Sequence, residues 1–242
     1  MNNEQLIINN SQIPEGYKQT EVGVIPDDWI VLPLSDVASL DVGYAFKSSW
    51  YQKYGGVPLL RGENVGYGRP DWSDTRTLPD KVAESFSAYQ LSPGEIVIGM
   101  DRTFTKSGTK ISLLRENDCP CLLVQRVGKF IPVKCSASFL WALISSLKFQ
   151  QSLQLEQKGM DIPHLSRSEI LQPYVALPPT SAEQEEIATT LSDIDALIAK
   201  LDKLIAKKRH LKTATMQQLL TGKKRLPGFG GIINNEQLIM AQ

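Results

Sequence analysis

The sequence predicts an α+β protein in which an irregular β-rich domain precedes a long helix that forms a coiled coil. Residues 29–134 hold short apolar runs separated by clusters of Gly, Pro, Asn and Asp, a pattern typical of strands and turns. Apolar residues recur at alternating spacings of four and three from Ile187 to Ile205, which is typical of a coiled-coil seam. Gly and Pro are absent from residues 182–221, so this helix is expected to run for about 40 residues.

Four segments follow one another along the chain. Residues 1–28 are an N-terminal extension, residues 29–176 the β-rich domain, residues 177–227 the helical region and residues 228–242 a tail. The tail contains the hexapeptide NNEQLI at 234–239, which also occurs at 2–7. Two interpretations stay open, since the chain is either one unit followed by the first residues of a second unit, or it ends in a duplicated tail without a structural role.

The β-rich domain is predicted from five runs: WIVLPL, VPLLR, EIVIGM, KISLL and CLLVQRV. Its connections at 62–79 and 99–110 are too long for simple hairpins and carry aromatic and basic residues. Long loops on a rigid scaffold are where binding residues usually lie, so these two loops are the expected binding region.

Helices are predicted after the strands. Residues 136–157 indicate one helix that stops near Gly159, a capping box at Ser166 and Glu169 starts another, and residues 173–179 are extended. A second capping box, formed by Ser181 with Gln184, starts the long helix. The expected seam consists of Ile187, Leu191, Ile194, Ile198, Leu201, Ile205 and Leu211. A helix on the order of 60 Å long needs a second helix to cover such a seam, either the helix at 136–157 over part of its length or the same helix of a second chain.

Charge is segregated along the chain although the formal net charge is zero. Residues 1–36 hold one Lys against six acids, whereas residues 200–225 hold nine Lys or Arg against Asp202 alone. Residues 99–134 hold seven basic against three acidic residues, which predicts a modest basic surface. The basic run 207–209 with Lys212 has three open interpretations: a solvated flank of the coiled coil, a docking surface for partner subunits, or a contact to a DNA backbone.

The motifs of several enzyme classes are missing from the sequence. It has no glycine-rich nucleotide loop after an early strand, no acid cluster followed by the Lys of a metal-dependent nuclease, and no GxSxG. Three cysteines form no CxxC and two histidines stand apart, so no metal site is expected. No run of 18 apolar residues indicates a membrane span, and no secretory signal is recognised, so a cytoplasmic location is expected. A binding module with a helix for assembly remains.

Several motifs resemble those of the specificity (S) subunits of type I restriction–modification enzymes. The resemblance rests on YKQTEVGVIPDDW at 17–29, LSDVASLDVGYAFKSS at 34–49, VPLLRGENV at 57–65 and LSPGEIVIGMDRT at 91–103. Its most specific parts are LPPTSAEQEEIATTLSDIDALIAKL at 177–201 and LLTGKKRLPGF at 219–229. Together these motifs extend over nearly the whole chain.

The resemblance implies a non-catalytic subunit that reads double-stranded DNA and recruits methyltransferase (modification) subunits, with a restriction subunit added for cleavage. Full-length members carry two target-recognition domains, each followed by a helical conserved region, and the two helices pack antiparallel. This chain has one recognition domain and one helical region, so it resembles a half-sized S subunit. Because its long helix would expose the apolar seam in a monomer, we expect a homodimer through this helix. We expect S-adenosylmethionine, and ATP with Mg, to be bound only by the partner subunits and not by this chain. Residues 29–176 would then be the DNA-binding target-recognition domain, and residues 177–227 the region for dimerisation and subunit docking.

DNA-contacting residues should be polar, basic or aromatic side chains in the loops, because base edges are read by hydrogen bonds and phosphates by charge. The candidates are Lys47, Ser48, Tyr51, Arg61, Asn64, Tyr67, Arg69, Arg102, Thr103, Thr105, Lys106, Lys110 and Arg126. Two other functions stay open. A stand-alone DNA-binding dimer would lack a methyltransferase partner, and an unrecognised enzyme would bind S-adenosylmethionine itself.

Overall fold

The computed structural model describes residues 13–105, 108–156 and 164–229. Its strands are β1 (Tyr17–Thr20), β2 (Gly23–Pro26), β3 (Ile30–Pro33), β4 (Ala38–Val42), β5 (Val57–Leu60), β6 (Thr77–Leu78), β7 (Gln90–Leu91), β8 (Ile96–Gly99), β9 (Phe104–Thr105), β10 (Gly108–Thr109), β11 (Ile111–Leu113), β12 (Cys121–Leu123), β13 (Val127–Pro132) and β14 (Tyr174–Leu177). Its α-helices are α1 (Leu34–Val37), α2 (Asp80–Ala83), α3 (Ala137–Ser145), α4 (Leu147–Glu156), α5 (Arg167–Leu171) and α6 (Ser181–Leu220). The predicted α+β class is confirmed. Within the described ranges, no helix is long and apolar enough to cross a membrane.

Two four-stranded sheets form the β-rich part. The first has the strand order β11-β8-β13-β4 and is antiparallel throughout. The second has the order β6-β5-β12-β7, in which β12 runs parallel to β5. Short ladders join β1 to β2, β9 to β10 and β3 to β14. All five predicted runs contain strands, and the extended segment 173–179 contains β14.

Strand β8 explains how the two sheets share their core. Its side chains alternate, so that Ile96 and Ile98 join one apolar cluster and Val97 joins another. The first cluster lies between the first sheet and helices α3, α4 and α5. The second cluster lies between the two sheets, where Val97 and Val127 meet residues of the second sheet such as Leu123. The run EIVIGM is therefore apolar on both faces because both faces of β8 are covered.

The region predicted as one helix, 136–157, is two helices. The break lies at Ser146, whose backbone is extended at φ −64° and ψ 144°. Its hydroxyl accepts a hydrogen bond from the Phe149 backbone N–H at 3.3 Å, so Ser146 ends α3 and caps α4. The predicted stop at Gly159 lies outside the described residues.

Helix α6 agrees closely with the predicted long helix. Thr180 caps α6, because its Oγ1 accepts a hydrogen bond from the Glu183 N–H at 3.2 Å. The predicted cap, Ser181, therefore lies one residue after the observed cap. The Gln184 side chain instead donates to the Pro178 carbonyl at 3.2 Å and is buried. At the other end, Gly222 adopts φ +72° and stops the helix as predicted.

The described residues fall into two compact units, and the division lies within α6 between Thr190 and Leu191. The first turns of α6 belong to the first unit, where Ala188 is buried and Ile187 packs against the core. The predicted domain boundaries stay a prediction. The described part of the N-terminal extension contains the β1–β2 hairpin, and both copies of NNEQLI lie outside the described residues.

Candidate nucleic-acid interface and helical assembly surface

The loop at 99–110 is held in place by its own polar residues. Thr103 is fully buried, and its hydroxyl donates to the Gly99 carbonyl at 2.7 Å. The Lys110 ammonium donates to the carbonyl oxygens of Gly62 at 2.8 Å and Asp101 at 3.2 Å, and burial lowers the pKa of Lys110. We expected Thr103 at the surface, and that expectation is wrong. Lys110 joins two loops rather than extending into solvent.

The loop that follows β5 is organised in the same way. Asn64 is 1% exposed, and its side-chain amide donates to the carbonyls of Asp71 at 3.0 Å and Asp74 at 3.2 Å. The Arg61 guanidinium lies against Glu63 at 2.5 Å and donates to the Asp74 carbonyl at 2.7 Å, with only 14% of its side chain exposed. Asn64 is therefore buried within the loop, away from the surface that a DNA contact requires. Both residues use their hydrogen-bonding groups to fold the loop.

A third group of candidates lies around the short turn at 48–50. The Tyr51 ring packs against a buried cluster that contains Leu59 and Leu78, so most of it is covered. Lys47 is exposed, and its ammonium lies 5.4 Å from the centre of the Trp50 ring, within cation–π range. Ser48 is also exposed. Tyr51 is thus a packed tyrosine, whereas Lys47 and Ser48 remain available at the surface.

The remaining loop candidates are exposed side chains on the fixed loops. Tyr67 is 60% exposed, and its ring lies directly over the Gly108 backbone, where a Cβ would come within 2.7 Å of it. Thr105 donates to the Gly108 carbonyl at 2.9 Å. The exposed candidates with described positions are Lys47, Ser48, Tyr67, Arg69, Arg102, Thr105 and Arg126. Lys106 lies outside the described residues.

Sequence reasoning missed a polar cluster around Arg126. The Asp101 carboxylate oxygen Oδ1 lies 2.7 Å from His164 Nδ1 and 3.2 Å from Arg126 Nη1. The same Arg126 nitrogen lies 3.2 Å from His164 Nδ1. An ionised carboxylate only accepts, so the short contact requires His164 Nδ1 to carry its proton, and that nitrogen then cannot accept from Arg126. Asp101 is therefore the acceptor that both other residues share.

No sequence signal marks this cluster, because Asp101 is 25 residues from Arg126 and 63 from His164. It is also unlike a metal site. Across the described ranges, no three His, Cys, Asp or Glu side chains group as ligands of an ion.

Helix α6 presents an apolar face that the chain leaves exposed beyond its first turns. Of the predicted seam, Ile187 is half-buried, while the other members are 44–59% exposed. These exposed members are Leu191, Ile194, Ile198, Leu201, Ile205 and Leu211. Leu197 and Leu204 widen the face and are 55% and 49% exposed. An exposed apolar stripe of this length is unusual for a monomer, so the geometry suits a helical partner.

Charge on α6 changes sign along its length. Residues 181–199 hold five acids and no Lys or Arg, whereas residues 200–212 hold six Lys or Arg and one acid. Two of the acids at the start of the helix are tied to the first unit, since Glu183 accepts from Trp29 Nε1 and Glu185 from the Ser138 hydroxyl. A partner helix of opposite direction would bring unlike charges side by side.

Comparisons with known proteins identify relatives for most of the chain. A family model described as type I restriction modification DNA specificity domain matches residues 26–208. The MjaVIII specificity subunit of a type I restriction enzyme from Methanocaldococcus jannaschii is 33% identical over 214 residues, covering 88% of this chain and 50% of that protein. The EcoAI specificity subunit from Escherichia coli is 34% identical over 197 residues, covering 81% and 32%.

A solved structure shares the fold. The HsdS subunit from Thermoanaerobacter tengcongensis superposes with a TM-score of 0.51 at 19% identity, covering 85% of this chain and 48% of that one. The chain thus spans half or less of the length of these three proteins.

Proposed function

This chain belongs to the family of type I restriction–modification DNA specificity proteins, and from that premise we propose that it is a non-catalytic subunit that reads DNA. The observation that carries the proposal is the family match, which includes both the β-rich unit and α6 as far as Lys208. Exposed basic and aromatic side chains on fixed loops support it, because such groups contact phosphates and base edges.

The chain acts as a homodimer in this proposal. Its single β-rich unit and uncovered apolar face are both completed by a second copy whose α6 runs in the opposite direction. Antiparallel pairing centred on the exposed seam 191–211 places Asp193 and Asp195 beside the basic run 207–209 of the second copy, whereas parallel pairing sets like charges together. The first turns of α6 belong to the β-rich unit, so the β-rich units of the two copies then lie at opposite ends of the helix pair.

Partners and cofactors follow from the same premise. The dimer recruits methyltransferase (modification) subunits, and a restriction subunit joins them for cleavage. S-adenosylmethionine, and ATP with Mg, are bound by those subunits and not by this chain, which works in the cytoplasm. The basic run 207–209 with Lys212 lies exposed on α6 and is available for docking such a subunit.

Selection of bound duplexes from a random DNA library tests the proposal, with the full chain as bait and with or without a co-expressed modification subunit. We expect two inverted copies of one short half-site separated by a gap, because a two-fold dimer reads both halves with the same surface. An asymmetric motif would contradict the homodimer, and enrichment of no motif would contradict DNA reading. Failure to co-purify with any modification subunit, while the motif is still selected, would favour a stand-alone DNA-binding dimer instead.

A further inference from the structure

Two arginines have a backbone conformation that L-residues rarely adopt. Arg102 has φ +47° and Arg126 has φ +72°, and within the described residues no other non-glycine residue has positive φ. Arg126 is the third residue of a turn that closes with a hydrogen bond from the Val127 N–H to the Val124 carbonyl at 3.1 Å. A positive φ at this turn position favours Gly. A long side chain at such a position points to a function that the turn alone does not require.

Backbone hydrogen bonds fix this turn against its neighbours. The Gln125 N–H donates to the Tyr44 carbonyl at 2.9 Å, and the Arg126 carbonyl accepts from the Met100 N–H at 2.9 Å. The Met100 carbonyl in turn accepts from the Leu165 N–H at 2.9 Å. Four separate chain segments are thereby locked together, and residues of three of them form the Asp101–Arg126–His164 cluster described above.

The cluster leaves one edge of the guanidinium unused. Arg126 contacts Asp101 through Nη1, and its Nε and Nη2 have no hydrogen bond or ion pair with any residue that the structure describes. About half of the side chain is exposed, at 51%, with 41% for Asp101 and 40% for His164. An Arg that is held on one side and open on the other can donate two parallel hydrogen bonds to a planar acceptor pair.

The local charge decides between a base and a phosphate as that acceptor. Asp101 neutralises Arg126 at 3.2 Å and would repel a phosphate brought to the same place. The O6 and N7 atoms of guanine form a neutral acceptor pair that suits an arginine fork. Arg102, whose guanidinium has no ion pair among the described residues, is the better phosphate contact.

We propose that Arg126 reads a guanine in each half-site, and that Asp101, held in turn by His164, is a positioning residue that sets the direction of the guanidinium. This inference rests on the proposed DNA-reading function and adds to it the residues that choose one base pair. Asp101 and His164 act through Arg126 and need not touch the DNA.

The Arg126→Gly variant separates recognition from folding, because Gly relieves the positive φ while it removes the side chain. We expect its thermal midpoint to equal or exceed that of the wild type. In selection from a random duplex library with the full chain, one guanine in each half-site should lose its preference. Affinity for the wild-type site should fall roughly 5- to 150-fold per half-site, with an unchanged salt slope.

Two further variants and a control complete the test. Arg126→Lys keeps the charge but loses the planar fork, so it should relax the same position. Asp101→Asn should also relax that position, to a smaller extent, whereas a purely structural Asp101 would weaken binding to every sequence alike. Arg167→Ala removes an exposed arginine at the start of α5 and should leave the selected motif unchanged.

Three outcomes would overturn the inference. An Arg126→Gly variant that selects the wild-type motif shows that Arg126 reads no base. A uniform loss of affinity with a shallower salt slope identifies Arg126 as a phosphate contact. If the wild-type chain itself selects no motif, the proposed function fails and this inference fails with it, which is distinguishable from the first two results.

Discussion

Shortening Ile198 to Ala should weaken dimerisation of this chain about 30-fold. Ile198 lies near the middle of the exposed seam and is 51% exposed, so about half of its side chain remains to be covered by a partner. Full burial of an Ile side chain contributes about 1.5–3 kcal/mol, so half of it contributes about 1 kcal/mol. A dimer contains two copies, which gives about 2 kcal/mol, or about 30-fold in the dissociation constant. Ile198→Asp should abolish the dimer, because two carboxylates would lose their water in an apolar seam.

Sedimentation equilibrium over a range of concentrations measures this dissociation constant. Ala196→Asp is the matched control, since two residues along a helix turn the side chain by about 200° and place the same charge on the opposite face. Circular dichroism should show equal helix content in Ile198→Asp and Ala196→Asp. The reasoning is refuted if Ile198→Ala dimerises as tightly as the wild type, if Ala196→Asp is as disruptive as Ile198→Asp, or if the wild type is monomeric at micromolar concentration.

Three further predictions concern the first unit. Arg102→Ala should weaken binding to all duplexes equally and reduce the salt slope by about one, as loss of a phosphate contact does, and titrations at several salt concentrations check this. Lys110→Met leaves the carbonyls of Gly62 and Asp101 without their half-buried donor, so the free energy of unfolding should fall by about 1–3 kcal/mol, measured by urea unfolding; an unchanged value would contradict the structural role. Hydrogen bonds from Ser166 lower the pKa of Glu169, so its contribution to stability is present above the ordinary Glu pKa and is lost as pH falls through the folded value; Glu169→Gln should flatten this acid dependence in thermal melts recorded at stepwise lower pH.

Helix positions were predictable where local signals agree. The predicted helix 182–221 and the observed α6, Ser181–Leu220, differ by one residue at each end, because a cap, a period and a terminal glycine all indicate the same segment. The break at Ser146 was not predictable in this way. The apolar pattern continues across it, and the serine acts as a cap only because the helices on either side both pack on the core cluster that contains Phe139 and Phe149.

The burial and contacts of individual loop residues were less predictable than the location of the loops in the sequence. Asn64 and Thr103 have polar side chains of the kind usually found at the surface, yet both are buried. Their side chains donate to backbone carbonyls of the long loops, which need donors where water is excluded. The Asp101–Arg126–His164 cluster depends on three backbone segments that meet only in the folded chain. A single sequence contains no periodicity or spacing that would bring them together.

The buried and half-buried polar residues still bear on the proposed recognition of DNA, because they fix the loops that carry the exposed candidates. A loop that reads a base must present its side chain in one direction, because each ordering step left until binding reduces affinity. Lys110 ties the first residues of the loop 99–110 to the Gly62 loop, and Thr103 ties the same loop to the end of β8. Arg102 lies between these two anchors, and the Asp101 carboxylate beside it holds Arg126. The candidate loops thus contain buried or half-buried residues that fix the backbone and exposed residues that remain free for contact. Variants of the first kind should alter recognition only through stability and loop geometry. Variants of the second kind should alter recognition without loss of stability.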